Sequence, residues 1–242
     1  MWLIVCSSVD HSALWMHERL QARARAPAAL LLVEGLADVR IRWRHAVGRS
    51  GTSVTLRLPD GNEVSSAELR GVVNRLVTAP LVLLDAVEPE DRDYATNELT
   101  AFTASWLHAL APTVINAPTP HGLVGRWRLP LEWRVLGRRS GLRTPDLHLT
   151  CTAPGDVLSE SDQPSTTLLA IDGHVFDQRA SSSVQRAVAR FSAMAETRVL
   201  GLRFEGEDPS ANGWSLLDAT PYPDLTLAGD AGVEALEQAL TG

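Results

Sequence analysis

A chain of 242 residues is long enough for one large or two small domains and can bury a substantial core. With 45% hydrophobic and 21% charged residues its composition is globular rather than disordered, and a formal net charge of −7 argues against a general nucleic-acid binder. No apolar run approaches the length needed to cross a bilayer, and the opening MWLIVCSS has neither the charged start nor the small-residue cleavage site of a signal peptide, so a cytoplasmic protein with no membrane partner is expected.

Taken in order, Trp2 to Cys6 reads as a buried first strand, followed by Ser7, Ser8 and a helix from His11 to Arg25 with Leu14, Trp15 and Leu20 on one side. Ala28 to Val33 is a second continuous apolar strand, as expected in a parallel sheet covered on both faces. Arg40 to Val47 predicts another strand. A hairpin follows, in which Ser53 to Leu58 alternates and Pro59-Asp60-Gly61-Asn62 turns the chain into Glu63-Val64. Ser65 and Ser66 cap a short turn that leads to a strand over Gly71 to Leu76. A helix from Glu88 to Ala109 opens on Glu88, Glu90, Asp91 and Asp93, which suit the helix dipole, and carries Leu99, Phe102, Trp106 and Leu110 at helical spacing. His11 and His17 fall on different faces and His108 has no second histidine three or four residues away, so no histidine metal motif is present. Cys6 and Cys151 suit a reducing compartment and read as buried fillers.

From Pro112 to Pro145 the pattern changes. A short β-branched strand, Thr113 to Ile115, ends at Asn116 and a proline-broken loop. A basic amphipathic helix is predicted from Gly125 to Arg139, carrying Arg126, Arg128, Arg134, Arg138 and Arg139, with Leu129, Trp133 and Leu136 toward a sheet; Gly141 stops it and Pro145 stands beyond. Strand, polar turn and basic helix place cations beside the carboxyl end of a sheet, where anionic ligands often bind. The plainer reading is a crossover whose arginines face solvent. A strand over Asp146 to Thr152, a polar connector over Ala153 to Ser165, and a hairpin over Leu168 to Phe176 turning at Asp172-Gly173 come next. Ser181 to Ser183 cap a helix to Glu196, with Val184, Val188, Phe191 and Ala195 as its core face. Strands over Arg198 to Phe204 and Ser215 to Leu217, separated by a loop from Glu205 to Gly213, and a helix over Gly232 to Leu240 complete an α/β chain.

Several short pieces together resemble the ATP-grasp proteins, in particular the small bacterial ATP-grasp ligases that modify ribosomally made peptides. They are Val73-Asn74-Arg75, Ala95-Thr96-Asn97-Glu98, Ile115-Asn116-Ala117-Pro118 and Gly141-Leu142-Arg143-Thr144-Pro145, whose order and spacing match over residues 1 to 150. Leu168 to Phe176 resembles the family's glycine-turned hairpin, and Leu216 to Pro223 its "L-E-x-N-x-x-P". The resemblance implies an α/β fold of two parts: a pre-ATP-grasp-like α/β domain at 1–120 and a shortened ATP-grasp-like α+β domain at 121–242. Arg128 or Arg126 falls near the family's nucleotide-binding lysine. Asp218 and Thr220 stand where the family has metal-binding Glu and Asn, and Arg203, with Glu205 two residues on, stands near its metal-binding Asp.

The departures are as informative as the matches. Every one of the 22 basic residues is arginine, whereas family members clamp nucleotide with lysines, and arginine's planar fork is not a neutral replacement for a compact ammonium. The interval between Pro145 and Thr167 is also too short for the family's nucleotide lid, so the loop APGDVLSESDQPS replaces it. Asp218 and Glu205 are the metal ligands left to expect, and Arg128 and Arg203 the cofactor-binding residues; no catalytic residue is assigned. The expectation is a degenerate, non-catalytic subunit that needs no cofactor and binds a peptide or a partner modifying enzyme, on its own or as a homodimer, in a peptide natural-product pathway. The alternatives are an active carboxylate-amine ligase that uses ATP and magnesium with arginines in place of lysines, and an unrelated α/β binding domain.

Overall fold

The first strand, β1 (Trp2–Cys6), is buried at every position because it lies inside a parallel sheet of order β2-β1-β6-β7, with β2 (Ala28–Leu32), β6 (Gly71–Asn74) and β7 (Val114–Ile115). A strand covered on both faces has no solvent side, hence its unbroken apolar run. The structure, a computed structural model, describes residues 1–23, 27–37, 42–49, 51–58, 61–146, 164–206 and 214–241. They form two compact units, Met1–Trp127 with Asp224–Gly242, and Arg128–Pro223.

In the first unit, Leu3, Val5, Leu31 and Val72 share a core with Trp106, Leu107 and Leu110 of α2 (Arg92–Leu110). The opposite sheet face, that of Trp2 and Gly71 in register, receives α5 (Gly229–Thr241). Gly71 permits this approach, since a Cβ there would stand 2.9 Å from the Leu240 side chain and carbonyl. The helix α1 (His11–Arg23) packs beside α5. A second sheet, β3-β4-β5, is antiparallel: β3 (Arg42–Gly48), β4 (Gly51–Arg57) and β5 (Glu63–Ser65). Its Trp43, Leu56 and Val64 are in register, and the Trp43 ring stands edge-on to Phe102 and Trp106 of α2, 5.0 Å from each. Alternation puts Arg42, Arg44, Thr55, Arg57 and Glu63 on the other face.

The second unit is an antiparallel sheet of order β11-β10-β8-β9, from β8 (Ser165–Ile171), β9 (His174–Val175), β10 (Val199–Glu205) and β11 (Ser215–Thr220). The helices α3 (Pro130–Ser140) and α4 (Ser182–Ala195) cover one face through Trp133, Phe191, Leu200, Leu202, Phe204 and Leu216. The β8–β9 turn is Asp172-Gly173, with φ of 50° and 76°, the pair of left-handed residues that a two-residue hairpin demands. Ser181 caps α4 by accepting from the Val184 N–H at 3.4 Å, as the sequence predicts.

Several boundaries differ from the sequence reading, each for a local reason. Glu88 precedes Pro89, which disfavours helical geometry before it, so α2 begins at Arg92 and most of the acidic cluster lies in the turn ahead of the helix. Leu129 is likewise extended ahead of Pro130 (ψ 153°), so α3 starts there; Arg126 and Arg128 lie before the helix and Leu129 is 69% exposed instead of facing the sheet. On α1 the buried side chains are Ala13, Met16 and Leu20, with Leu14 and Trp15 only half-buried. Phe102 is 38% exposed, although its ring still meets Trp43. By compactness the first unit runs to Trp127 and includes α5. Gly141 ends α3 in left-handed geometry (φ 91°), as expected. The strand expected over Asp146 to Thr152, the connector Ala153 to Ser165, Cys151 and most of the loop Glu205 to Gly213 lie outside the described residues.

Candidate functional site

The carboxyl ends of β1, β6 and β7 carry the residues of the first motifs. Arg75, directly after β6, is 5% exposed; its Nε donates to Asp10 Oδ2 at 2.7 Å and its Nη2 to Ser12 Oγ at 3.3 Å. Asp10, 7% exposed, also accepts from the Ala13 N–H at 3.1 Å and so starts α1. Asn74 is buried and donates to the carbonyls of Asn116 (2.9 Å) and Leu123 (2.6 Å), while its Oδ1 accepts from the Leu76 N–H at 3.1 Å. The Val-Asn-Arg and Ile-Asn pieces are thereby stitched together: Asn74 fastens the proline-broken loop to the sheet, and Arg75 fastens α1.

The turn Val33–Ala37 after β2 adds Glu34, which accepts from the hydroxyl of Ser7 and, at 3.0 Å, from the N–H of Ser8, both in the loop after β1. Burial works to raise this carboxyl, but the Ser7 hydroxyl and the neighbouring backbone N–H groups outweigh it and hold it below its ordinary 4.5. Burial, with the Asp10 charge second, pushes the Cys6 thiol up to about 12, so Cys6 is the inert filler expected.

In the second unit, Arg203 of β10 and Asp218 of β11 are register partners, and Glu205 is paired with Ser215. All three are half-buried and lie on the sheet face away from the α3 and α4 core, because their neighbours Leu202, Phe204, Leu216 and Ala219 fill that core. A shift in the ladder after Arg203 sets Leu217 aside, and its carbonyl accepts from Arg134 Nε at 3.0 Å. Arg128 stands apart, on the helical side: its Nη1 donates to the Ala195 carbonyl at 3.3 Å and its guanidinium lies 5.1 Å from the Trp133 ring centroid. Of the four expected site residues, Arg203, Glu205 and Asp218 therefore share one face and Arg128 does not. Among the described residues no group of three or more His, Cys, Asp or Glu could hold a metal ion.

No protein-family model and no curated protein matches the sequence. Solved structures match nearly the whole of it. The macrocyclase MdnB from Microcystis aeruginosa MRC is 13% identical, with 99% of this chain and 98% of that one covered and a TM-score of 0.69. The macrocyclase MdnC of the same organism, bound with precursor peptide MdnA, is 10% identical over 99% and 98%, with a TM-score of 0.71. The ATP-grasp ligase PsnB, complexed with a minimal precursor, is 15% identical over 98% of each chain, with a TM-score of 0.67. The fold is that of the ATP-grasp ligases. The resemblance carried by the short motifs is thus also a resemblance of fold.

Two arrangements in this ATP-grasp fold were not legible as sites in the sequence. Asp10 is far from Arg75 in the chain and carries no sign of its partner. The arginines of β3 and β4 show only a two-residue rhythm, Arg42-Trp43-Arg44-His45, that reads as any half-buried strand.

Proposed function

We propose that the chain is a non-catalytic ATP-grasp-fold protein that binds a ribosomally made peptide and serves as a recognition or assembly subunit for a modifying enzyme. The observation that carries this reading is the commitment of Arg128, which with Arg126 falls near the family's nucleotide lysine, to the end of α4 and the face of Trp133. A guanidinium spent on a helix-end carbonyl and an indole is a structural group. The complete absence of lysine in the sequence points the same way. The peptide half of the reading is supported by the fold neighbours MdnC and PsnB, whose structures contain precursor peptides.

The donor chemistry of the open sheet face does not suit magnesium. Mg²⁺ takes hard oxygens in a strict octahedron, and here two carboxylates flank a guanidinium, Arg203 being the register partner of Asp218. A fixed cation in that position competes for the same oxygens and repels the ion.

Calorimetric titration of the purified chain with ATP and magnesium tests the reading. The expected result is no binding heat at millimolar nucleotide and no ATP turnover. Micromolar binding, lost in Asp218→Ala, would overturn it in favour of a ligase that uses arginines as its phosphate clamp.

A further inference from the structure

The outward face of the β3-β4-β5 sheet is a cluster of cations in a chain of net charge −7. Arg42 and Arg57 are direct cross-strand partners, Arg44 is paired with Thr55, and Glu63 follows Arg57 on β5. The three arginines and Glu63 are exposed, and with Thr55 they line a shallow concavity of about 330 Å³. No carboxylate among the described residues forms an ion pair with Arg42, Arg44 or Arg57. Like charges directly opposite on a sheet destabilise it. The other face of the same strands is committed to α2 through Trp43, so the arginines cannot turn inward. The surface is thus electrostatically incomplete and rigidly presented.

We infer that this arginine face, resting on the reading of the chain as peptide-binding, docks an extended acidic segment of the bound peptide. Arg42 and Arg44 are two residues apart on one strand, roughly 6.6 Å along it, which is also the spacing of alternate side chains in an extended peptide. Carboxylates at every second position of such a peptide meet them in step, each as a charge-assisted bond to a guanidinium fork. Beyond the arginines the same face continues over Ala46 and Ser53 to Gly48 and Gly51 at the hairpin tip, a floor of small side chains on which a peptide backbone can lie. Glu63 at one corner repels a second anion there and sets the end at which the acidic run stops. A compact phosphate or a nucleic-acid backbone matches neither the shallow, elongated floor nor the surrounding negative charge.

The test is fluorescence anisotropy of the full chain with a labelled peptide of alternating Glu and Thr, its Gln-Thr counterpart, and an oligouridylate of similar length. The Glu-Thr peptide should bind and weaken with salt, and the Gln-Thr peptide should not bind. Arg42→Gln should weaken binding by about tenfold, as loss of one charge-assisted contact implies, while its melting temperature stays level or rises because the opposed arginines are relieved. Arg42→Glu with Arg44→Glu should abolish binding. Unchanged affinity in that double variant, tighter binding of the RNA than of the peptide, full displacement by millimolar inorganic phosphate, or no binding of the Glu-Thr peptide would each overturn the inference. Nucleotide binding by the same protein bears on the non-catalytic reading alone. Loss of the arginine face would leave that reading standing.

Discussion

The parallel sheet of the first unit and the antiparallel sheet of the second both place charged residues at a face or edge where a ligand could approach, yet they treat them differently. At the parallel sheet's carboxyl end Arg75 is buried against Asp10, and Asn74 is saturated by two carbonyls and one N–H. On the antiparallel sheet Arg203, Glu205 and Asp218 are half-buried on the face away from the α3 and α4 core. The first set is closed and serves the fold. The second lies on the face away from its unit's core, so substitution there should cost the fold less than at the first.

The sharpest way to break this comparison is Asp10→Ala. It strands the Arg75 guanidinium in the interior and removes the cap of α1, and should cost about 3–5 kcal/mol in urea unfolding, as loss of one partner of a buried pair does. Asn74→Ala comes next: the buried Leu123 and Asn116 carbonyls lose their donor, and about 1–3 kcal/mol should disappear from the same measurement. Asp218→Ala, by contrast, removes a half-buried side chain away from the core and should shift stability by no more than about 1 kcal/mol, near the typical net contribution of one hydrogen bond such as that from the Ala219 N–H. A larger loss at Asp218 than at Asp10 would erase the distinction between the two regions.

The smallest effect is a pH dependence. Glu34 has a folded pKa below its ordinary 4.5, so its carboxylate stabilises the fold above that value. This contribution should fade as pH falls from 4.5 through the lowered folded pKa. Comparing melting temperatures of the wild type and Glu34→Gln between neutral pH and acid pH checks the sign: the wild-type advantage should be full at neutral pH and shrink as the pH falls below 4.5.

Much of the fold was legible because its signals are local. The unbroken apolar β1, the Asp172-Gly173 turn, the Ser181 cap and the Gly141 stop each depend on a few neighbouring residues. Helical periodicity runs on across Pro89 and Pro130, where backbone sterics overrule it, so periodicity alone puts the starts of α2 and α3 too early. The return of α5 to the first unit was not readable, since it depends on Gly71 leaving room for Leu240, a contact between distant parts of the chain. Of the candidate site, the motif spacing led to Arg203, Glu205 and Asp218 on one face. It misplaced Arg128 on the helix, although the residue's real partners are Trp133 and the Ala195 carbonyl, and it carried no information on the pairing of Asp10 with Arg75.

The Leu240 contact with Gly71 also sets an order of assembly. The face of the first sheet that carries Trp2 and Gly71 is not fully covered until α5 has been synthesised, whereas residues 128–223 are all available before it. During translation the interposed unit can therefore complete its core first, and the strands made earliest are sealed last. A truncation that removes α5 should leave the second unit intact while uncovering Trp2 and its neighbours, so the end of the chain acts as a latch on its beginning.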